Sequence, residues 1–406
     1  MAKKILFVNT VLNTASTGRI VEFLGRAAQD AGWEAFAAYG RGSPNGSRLT
    51  PVKVGAKASL YRNALSCRIF DNDGFCATKD TRALVSRIDE IRPDIVHLHN
   101  LHGYYLNISE LLGHLAKKGI PAVMTLHDCW AFTGHCAYFD SARCEKWMRE
   151  CGECPLKRAY PASMLLDRSR ENHAEKIRLF SSLERFRFVP VSQWLSDLLA
   201  GSRLGGIGQT LIRNGINTGI FSERPPAPGS AAAKIAEKGP FVIGVANVWT
   251  RAKGLFDFAE IAERNPGLRI VLVGLSDRQA RGLPGNIEVV SHTESREELA
   301  ALYSAAAAFV NPTHADNYPT TNLEAISCGT PAVTYETGGS PESVLPGCGF
   351  SVKCGDIAGL CEKISLILAL GRGAFRNACL KAAAENFSER LCAEKYLRLY
   401  GEVAGM

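Results

Sequence analysis

Residues 305–335 constrain the fold of this chain more than any other stretch. An apolar run at 305–310 reads as a buried strand, and NPTHADNYPTTNLEAISCGTP (311–331) follows it. The Asp, Asn, Thr and Pro content of 311–320 marks a polar loop. Residues 321–327 have the composition of a helix, with Thr320 or Thr321 as N-cap. Gly329 ends that helix and Pro331 opens a further strand at 332–335. The predicted order is strand, loop, helix, strand. It leaves backbone N–H groups and the positive end of a helix dipole at the strand's carboxyl end, where a phosphate can sit.

Asp316 and Glu324 bracket this loop with seven residues between them. Each could accept hydrogen bonds from hydroxyls at opposite ends of a ligand whose phosphates lie on the helix start. A nucleotide-sugar has that layout: ribose, diphosphate, hexose. Glu324 alone is equally explained as an acid favoured by the helix dipole. The complete stretch resembles the donor-binding signature of the retaining glycosyltransferases of family 4. There an acid, seven residues, Glu-Ala and a small-residue/Cys-Gly-Thr-Pro run recur. Asp316 stands where Glu is usual, and Asn317, Tyr318, Pro319 and Thr320 stand where Gly-Phe-Gly is usual. Capsule and exopolysaccharide transferases of the colanic-acid type share the Asp-Asn-x-Pro variant. The resemblance places donor contacts on residues 317–320 and on Thr321, Asn322, Leu323 and Glu324.

At 406 residues the chain predicts two domains rather than one core. Hydrophobic content of 46% with 21% charged residues excludes a disordered chain. No apolar run approaches the roughly 18–20 residues that span a bilayer. The opening MAKKILFVN has an apolar core of only residues 5–8, too short for a secretion signal and suited to a buried first strand. A cytoplasmic protein is expected. The net charge of +7 is mild and favours an acidic partner, such as a diphosphate donor or an anionic membrane face. No basic tract is interleaved with aromatics, so nucleic acid is not an expected partner. Thirteen cysteines in such a chain read as reduced thiols or metal ligands rather than a disulfide framework.

From the start of the chain, 3–9 reads as a strand, 11–19 as a loop, 20–31 as a helix and 33–39 as a second strand, a Rossmann-like opening. The loop carries Thr17, Gly18 and Arg19, which is not a dinucleotide fingerprint; by resemblance it faces the acceptor side. Residues 91–100 contain a strand that opens into His97, His99 and His102. Period two places His97 and His99 on one face, as satisfied core or cleft residues more readily than metal ligands. We place His99 on the acceptor side. The strand at 120–128 ends in His127 and Asp128. This is either a polar strand end or, by resemblance, the histidine that approaches the donor sugar. Cys136, Cys144, Cys151 and Cys154 then crowd an insertion with little apolar content. Four thiolates at such spacing can hold structural zinc, and reduced or redox-labile thiols are the alternative.

Further on, 164–183 reads as a charged helix, 188–192 and 209–213 as strands, and 193–199 as a helix. The turn at 214–217 with Phe221 resembles the close of the family's N-terminal domain. Residues 223–239, rich in Pro, Gly and Ala, read as a linker. The second half alternates apolar strands at 241–246, 269–273, 287–290, 307–310 and 332–335 with helices. Lys253 and Gly254 match the family's phosphate-binding Lys-Gly. Asn247 and Val248 replace its usual Gly-Arg, and Arg251 is the nearest substitute.

The resemblance implies an α/β GT-B architecture: two Rossmann-like domains facing across a cleft, with a C-terminal helix at 389–403 crossing back. The expected domains are 1–222, with the cysteine insertion at 129–155, and 240–385, joined by 223–239 and followed by the crossover at 386–406. It further implies transfer of a hexose-type sugar from a UDP- or GDP-sugar to a saccharide or polyprenyl-linked acceptor, with retention. Lys253, Arg251 and the helix amides would meet the leaving diphosphate, Asp316 the sugar, Glu324 the ribose and His127 the hexose near its reacting end. No metal cofactor is expected for that step, and contact with the inner membrane face is expected. The rival readings are a nucleotide-sugar epimerase of the same architecture and a non-catalytic sugar-nucleotide-binding subunit.

Overall fold

The computed structural model describes residues 2–405. It contains twelve strands among them, all parallel, in two six-stranded sheets. The first sheet comprises β1 (Lys4–Asn9), β2 (Glu34–Tyr39), β3 (Thr50–Lys53), β4 (Ile95–Leu98), β5 (Ala122–Leu126) and β6 (Phe186–Pro190), ordered β3-β2-β1-β4-β5-β6. The second comprises β7 (Val242–Val245), β8 (Ile270–Val273), β9 (Ile287–Val290), β10 (Ala308–Asn311), β11 (Ala332–Tyr335) and β12 (Gly349–Val352), ordered β12-β11-β10-β7-β8-β9. Renumbered from its first strand, the second sheet has the order of the first. Strands such as IVHL, IVLV and AVTY are buried along their length, as parallel strands covered by helices on both faces must be. In each sheet the order reverses between two strands, β1 and β4 or β7 and β10, and the loops at their carboxyl ends frame a crevice.

The chain divides into two compact units, residues 1–213 with 393–406, and 214–392. The expected boundary at 222 falls later than this. The Ile216 amide donates to the Phe387 carbonyl at 2.7 Å, and the Phe221 ring packs edge-on against Tyr303, so 214–222 belong with the second unit. Nor is 223–239 a free tether. The Glu223 carboxylate is clamped by Arg372 and Arg376, and Ala231–Glu237 is a helix capped by the Ser230 hydroxyl. At the other end, the helix Glu389–Ala404 returns most of its length to the first unit.

Local differences have local causes. The first helix begins at Ala15, so Thr17, Gly18 and Arg19 lie in its opening turns rather than in a loop. Asn9 Nδ2 donates to the Val11 carbonyl at 2.8 Å and to Thr17 Oγ1 at 3.4 Å, drawing the chain into the helix early. The helix expected at 164–183 is confined to Ser169–Ser181. Residues 164–166 instead hydrogen-bond the end of the helix Lys57–Phe70, through Met164 N–H to Arg68 O and Leu166 N–H to Ile69 O. Residues 209–213 form only a bridge to β6 at Phe188. β3 and β12 had no counterpart in the sequence reading.

Candidate active site

In the second unit the loops after β7 and β10 lock together. Trp249 Nε1–H donates to the Val273 carbonyl at 2.8 Å, and Thr250 Oγ1 accepts the Lys253 amide at 3.2 Å. The short 3-10 turn Arg251–Lys253 ends on Gly254 at φ +77°. Glycine is needed there twice over, because a Cβ would lie 2.3 Å from the Pro312 carbonyl oxygen of the facing loop. His314 N–H donates to Ala252 O at 2.8 Å, and Thr313 Oγ1 donates to the same oxygen at 3.2 Å. Lys253 Nζ consequently reaches Asp316 Oδ2 at 2.5 Å, and Asp316 Oδ1 accepts the Asn317 amide at 2.9 Å. Both side chains remain partly accessible, and Asn247 and Arg251 are exposed on the same loop.

The helix after this loop spans Thr320–Ser327. Its N-cap is Pro319, not a threonine, and no side chain caps it; Thr320 and Thr321 occupy its first two positions, half-buried. The uncapped start keeps the character of an anion site. Other residues expected to touch a donor are turned inward. Asn322 is 0% exposed, with Oδ1 accepting from Asn311 Nδ2 at 2.7 Å and Nδ2 donating to Ser343 Oγ at 2.8 Å. Leu323 is core, and Asn317 and Tyr318 are buried. These side chains shape the loop from within. Glu324 is nearly buried, and Tyr303 OH donates to its Oε2 at 3.4 Å. Burial, reinforced by Glu324, keeps that phenol protonated.

One cluster here escaped sequence reasoning. His314 Nε2 lies 2.9 Å from both oxygens of Asp257, which also accepts from Tyr335 OH at 2.7 Å. It braces the Lys253 turn against β11. Its only sequence signal is Asp257, an acid on the buried face of a helix with Phe258, Ile261 and Ala262.

In the first unit, histidines gather in β4 and beyond the ends of β4 and β5. His97 Nδ1 pairs with Tyr400 OH at 2.7 Å and Nε2 with Thr125 Oγ1 at 2.8 Å, which in turn meets Tyr396 OH at 2.7 Å. His97 and His99 do share a face, with ring centroids 4.1 Å apart. His99 Nδ1 meets His127 Nε2 at 3.0 Å. Burial lowers His127 to about 4 against the pull of the Asp128 carboxylate, and lowers His99 well below its ordinary value. Both rings are neutral at pH 7. His102 pairs with Asp128 at 2.9 Å and with Tyr160 OH at 3.1 Å; burial pushes it down, but Asp128 raises it overall.

Cys136, Cys144, Cys151 and Cys154 line a single cavity beside Trp147. The Gly134 amide donates to Cys151 Sγ at 3.2 Å. Beneath them, fully buried Lys176 donates to the Trp130 and Thr133 carbonyls at 2.7 and 3.0 Å. The four sulfurs surround the cavity without closing on it. Among the described residues only Cys67, Asp73 and Cys76 hold three ligand-type atoms within 4.8 Å of one another. The Asp73 carboxylate there is taken up by the amides of Gly74, Gly103 and Tyr104.

Two Rossmann-like units of matching strand order, the second presenting a lysine and an uncapped helix start at its strand-order reversal, define a glycosyltransferase of the GT-B fold. The sequence profile described as Glycosyltransferase Family 4 matches residues 18–220, and that described as Glycosyl transferases group 1 matches 230–386. The chain belongs to glycosyltransferase family 4. A putative colanic acid biosynthesis glycosyl transferase, WcaC of Escherichia coli (strain K12), is 26% identical over 377 residues, 86% of each chain. The fold is shared with sucrose-phosphate synthase from Thermosynechococcus elongatus, at a TM-score of 0.72 and 18% identity over 99% of both chains. It is shared also with Anabaena HepE in complex with UDP-glucose, at 0.69 and 14% over 98% of this chain and 99% of that one.

Proposed function

We propose that this glycosyltransferase moves a hexose-type sugar from a UDP- or GDP-sugar to a saccharide or polyprenyl-linked saccharide in cell-surface polysaccharide synthesis, with retention of anomeric configuration. The observation that carries this reading is the Lys253–Asp316 contact on the loop leading into the uncapped helix Thr320–Ser327. Lys253 and the first amides of that helix meet the diphosphate as it departs, so the step needs no metal cofactor. Asp316 orients the sugar, Glu324 holds the ribose, and His127 gives a hydrogen bond to the hexose. The kinship with WcaC supports a polysaccharide acceptor, and the UDP-glucose bound to HepE supports a nucleotide-sugar donor. A thermal-shift panel of nucleotide-sugars, followed by product analysis with an acceptor, tests the proposal. Free nucleoside diphosphate and a new glycoside of unchanged anomeric configuration are expected. An epimerised sugar, or binding without turnover beside a competent acceptor, would overturn it.

Contact with an anionic membrane face is part of the proposal, and a surface of the first unit supports it. Tyr61, Leu65 and Phe70 of the helix Lys57–Phe70 are exposed, as are Tyr160, Met164, Leu165 and Leu166 on the segment bonded to its end. Residues 57–70 and 155–166 carry Lys57, Arg62, Arg68, Lys157 and Arg158 and no acid. Apolar side chains among unopposed cations suit the surface of a bilayer with anionic headgroups. No helix among the described residues is long and apolar enough to cross a membrane.

We also propose that Cys136, Cys144, Cys151 and Cys154 hold a structural zinc ion. The shared cavity and the amide already aimed at Cys151 support it. Burial lowers Lys176 to about 7 although the nearby thiols of Cys151 and Cys136 raise it, so thiolates held on a metal there would favour its charged form. Binding would draw the four sulfurs inward from their present positions.

A further inference from the structure

His99 is fully buried, and only its Nδ1 has a hydrogen-bond partner, the Nε2 of His127 at 3.0 Å. Its own Nε2 is sealed from solvent with none. The ring cannot turn to find one. It lies against His97, which Tyr400 and Thr125 hold at both nitrogens, and against Phe7. The planes of His99 and His127 are nearly parallel, 14° apart, with ring centroids 5.3 Å from each other.

Only one proton can lie between two neutral imidazoles, and its origin fixes both tautomers. If His127 donated from Nε2, the His99 proton would sit on the sealed Nε2 as a buried donor without an acceptor. If His99 donates from Nδ1, what is left buried is a bare ring nitrogen. Orphaned buried N–H groups are rarer than under-satisfied acceptors, so the second arrangement prevails. We infer that His99 fixes His127 as its Nδ1–H tautomer, so that the ring edge His127 keeps for a ligand is a hydrogen-bond donor. His99 is then a positioning residue. His127 can grip a hydroxyl oxygen of a sugar, but it cannot remove a proton through that edge as a general base. The tautomer stands on the geometry alone; its catalytic meaning rests on the proposed role of His127.

Long-range proton–nitrogen correlation spectra of 15N-histidine-labelled protein at pH 7 test this, with His127→Gln assigning the signals. His127 should show a protonated Nδ1 and a bare Nε2. His99→Asn, whose amide N–H can replace the donor, should keep that pattern. His99→Leu should release His127 toward the Nε2–H form and lower kcat about tenfold with donor KM little changed. A protonated Nε2 on His127 in the unaltered protein overturns the inference, even if the leucine variant fails to fold. If the tautomer is as inferred but His127→Gln turns over normally, the proposed role of His127 fails and the tautomer stands.

Discussion

Lys253 carries three donors, and Asp316 uses one of them, which leaves two for the oxygens of a departing diphosphate. The charge it meets grows as the glycosidic bond breaks. Lys253→Ala should therefore lower kcat more than it raises donor KM, as steady-state kinetics would show. A change in KM alone would leave Lys253 as a ground-state contact. Glu324→Gln exchanges a charged acceptor for a neutral one and should weaken donor binding by about 1.5–3 kcal/mol in a calorimetric titration. Unaltered affinity would remove Glu324 from the site. The histidines make a prediction about stability. His127 titrates at about 4, and His97 and His99 also lie below the ordinary 6.5, all through burial. As pH falls from 6.5 toward 4 the unfolded chain takes up protons that these rings refuse, so stability falls, while above 6.5 their effect vanishes. His102, raised by Asp128, runs the other way, stabilising at low pH and losing that contribution as pH rises. The melting temperature of His127→Gln should drop less between pH 7 and 5 than that of the unaltered protein. Equal drops would mean that His127 titrates as an exposed ring does.

At the scale of elements, the cysteine insertion gives the firmest test. Purified protein should carry about one zinc per chain, with Zn–S distances of about 2.3 Å, and a chelator should lower its melting temperature. Metal-free protein with all four thiols titratable would refute the zinc site. Catalysis should proceed without added divalent cations in either case, and strict dependence on them would refute the proposed diphosphate stabilisation. Most strands were legible because buried parallel strands are nearly unbroken apolar runs, whereas β3 (TPVK) and β12 (GFSV), only partly buried, were not. Capping was not, since Pro319 offers no side-chain acceptor and a threonine stood beside it. The segment 164–166 reads as helix in composition, yet its backbone bonds go to a helix about 95 residues earlier in sequence. Pro and Gly in 223–239 suggested a tether, but the clamp on Glu223 comes from Arg372 and Arg376, far along the chain. The proposed role of Lys253 was visible only through family resemblance, whereas Asp316 stood out by its seven-residue spacing from Glu324. The Asp257–His314–Tyr335 brace needs the register of three elements at once, which no local pattern encodes.

At the scale of the molecule, the apolar and basic surface on the first unit makes a prediction about location. The protein should co-sediment with vesicles rich in phosphatidylglycerol and much less with neutral ones. Leu65→Glu with Leu165→Glu should abolish that binding while leaving the circular-dichroism spectrum unchanged. Equal partition to both vesicle types would remove charge from the account. The return of the last helix to the first unit bears on how the protein is made. Thr125 and His97 meet Tyr396 and Tyr400, partners 271 and 303 residues downstream. A nascent chain can form β1 to β6 long before these tyrosines leave the ribosome, and closing so long a loop adds entropy that only the finished contacts repay. Throughout elongation of the second unit, His97 and Thr125 lack these partners. A stalled or prematurely terminated chain would then be defective in the half synthesised first, and proteases of the quality-control machinery would meet it there.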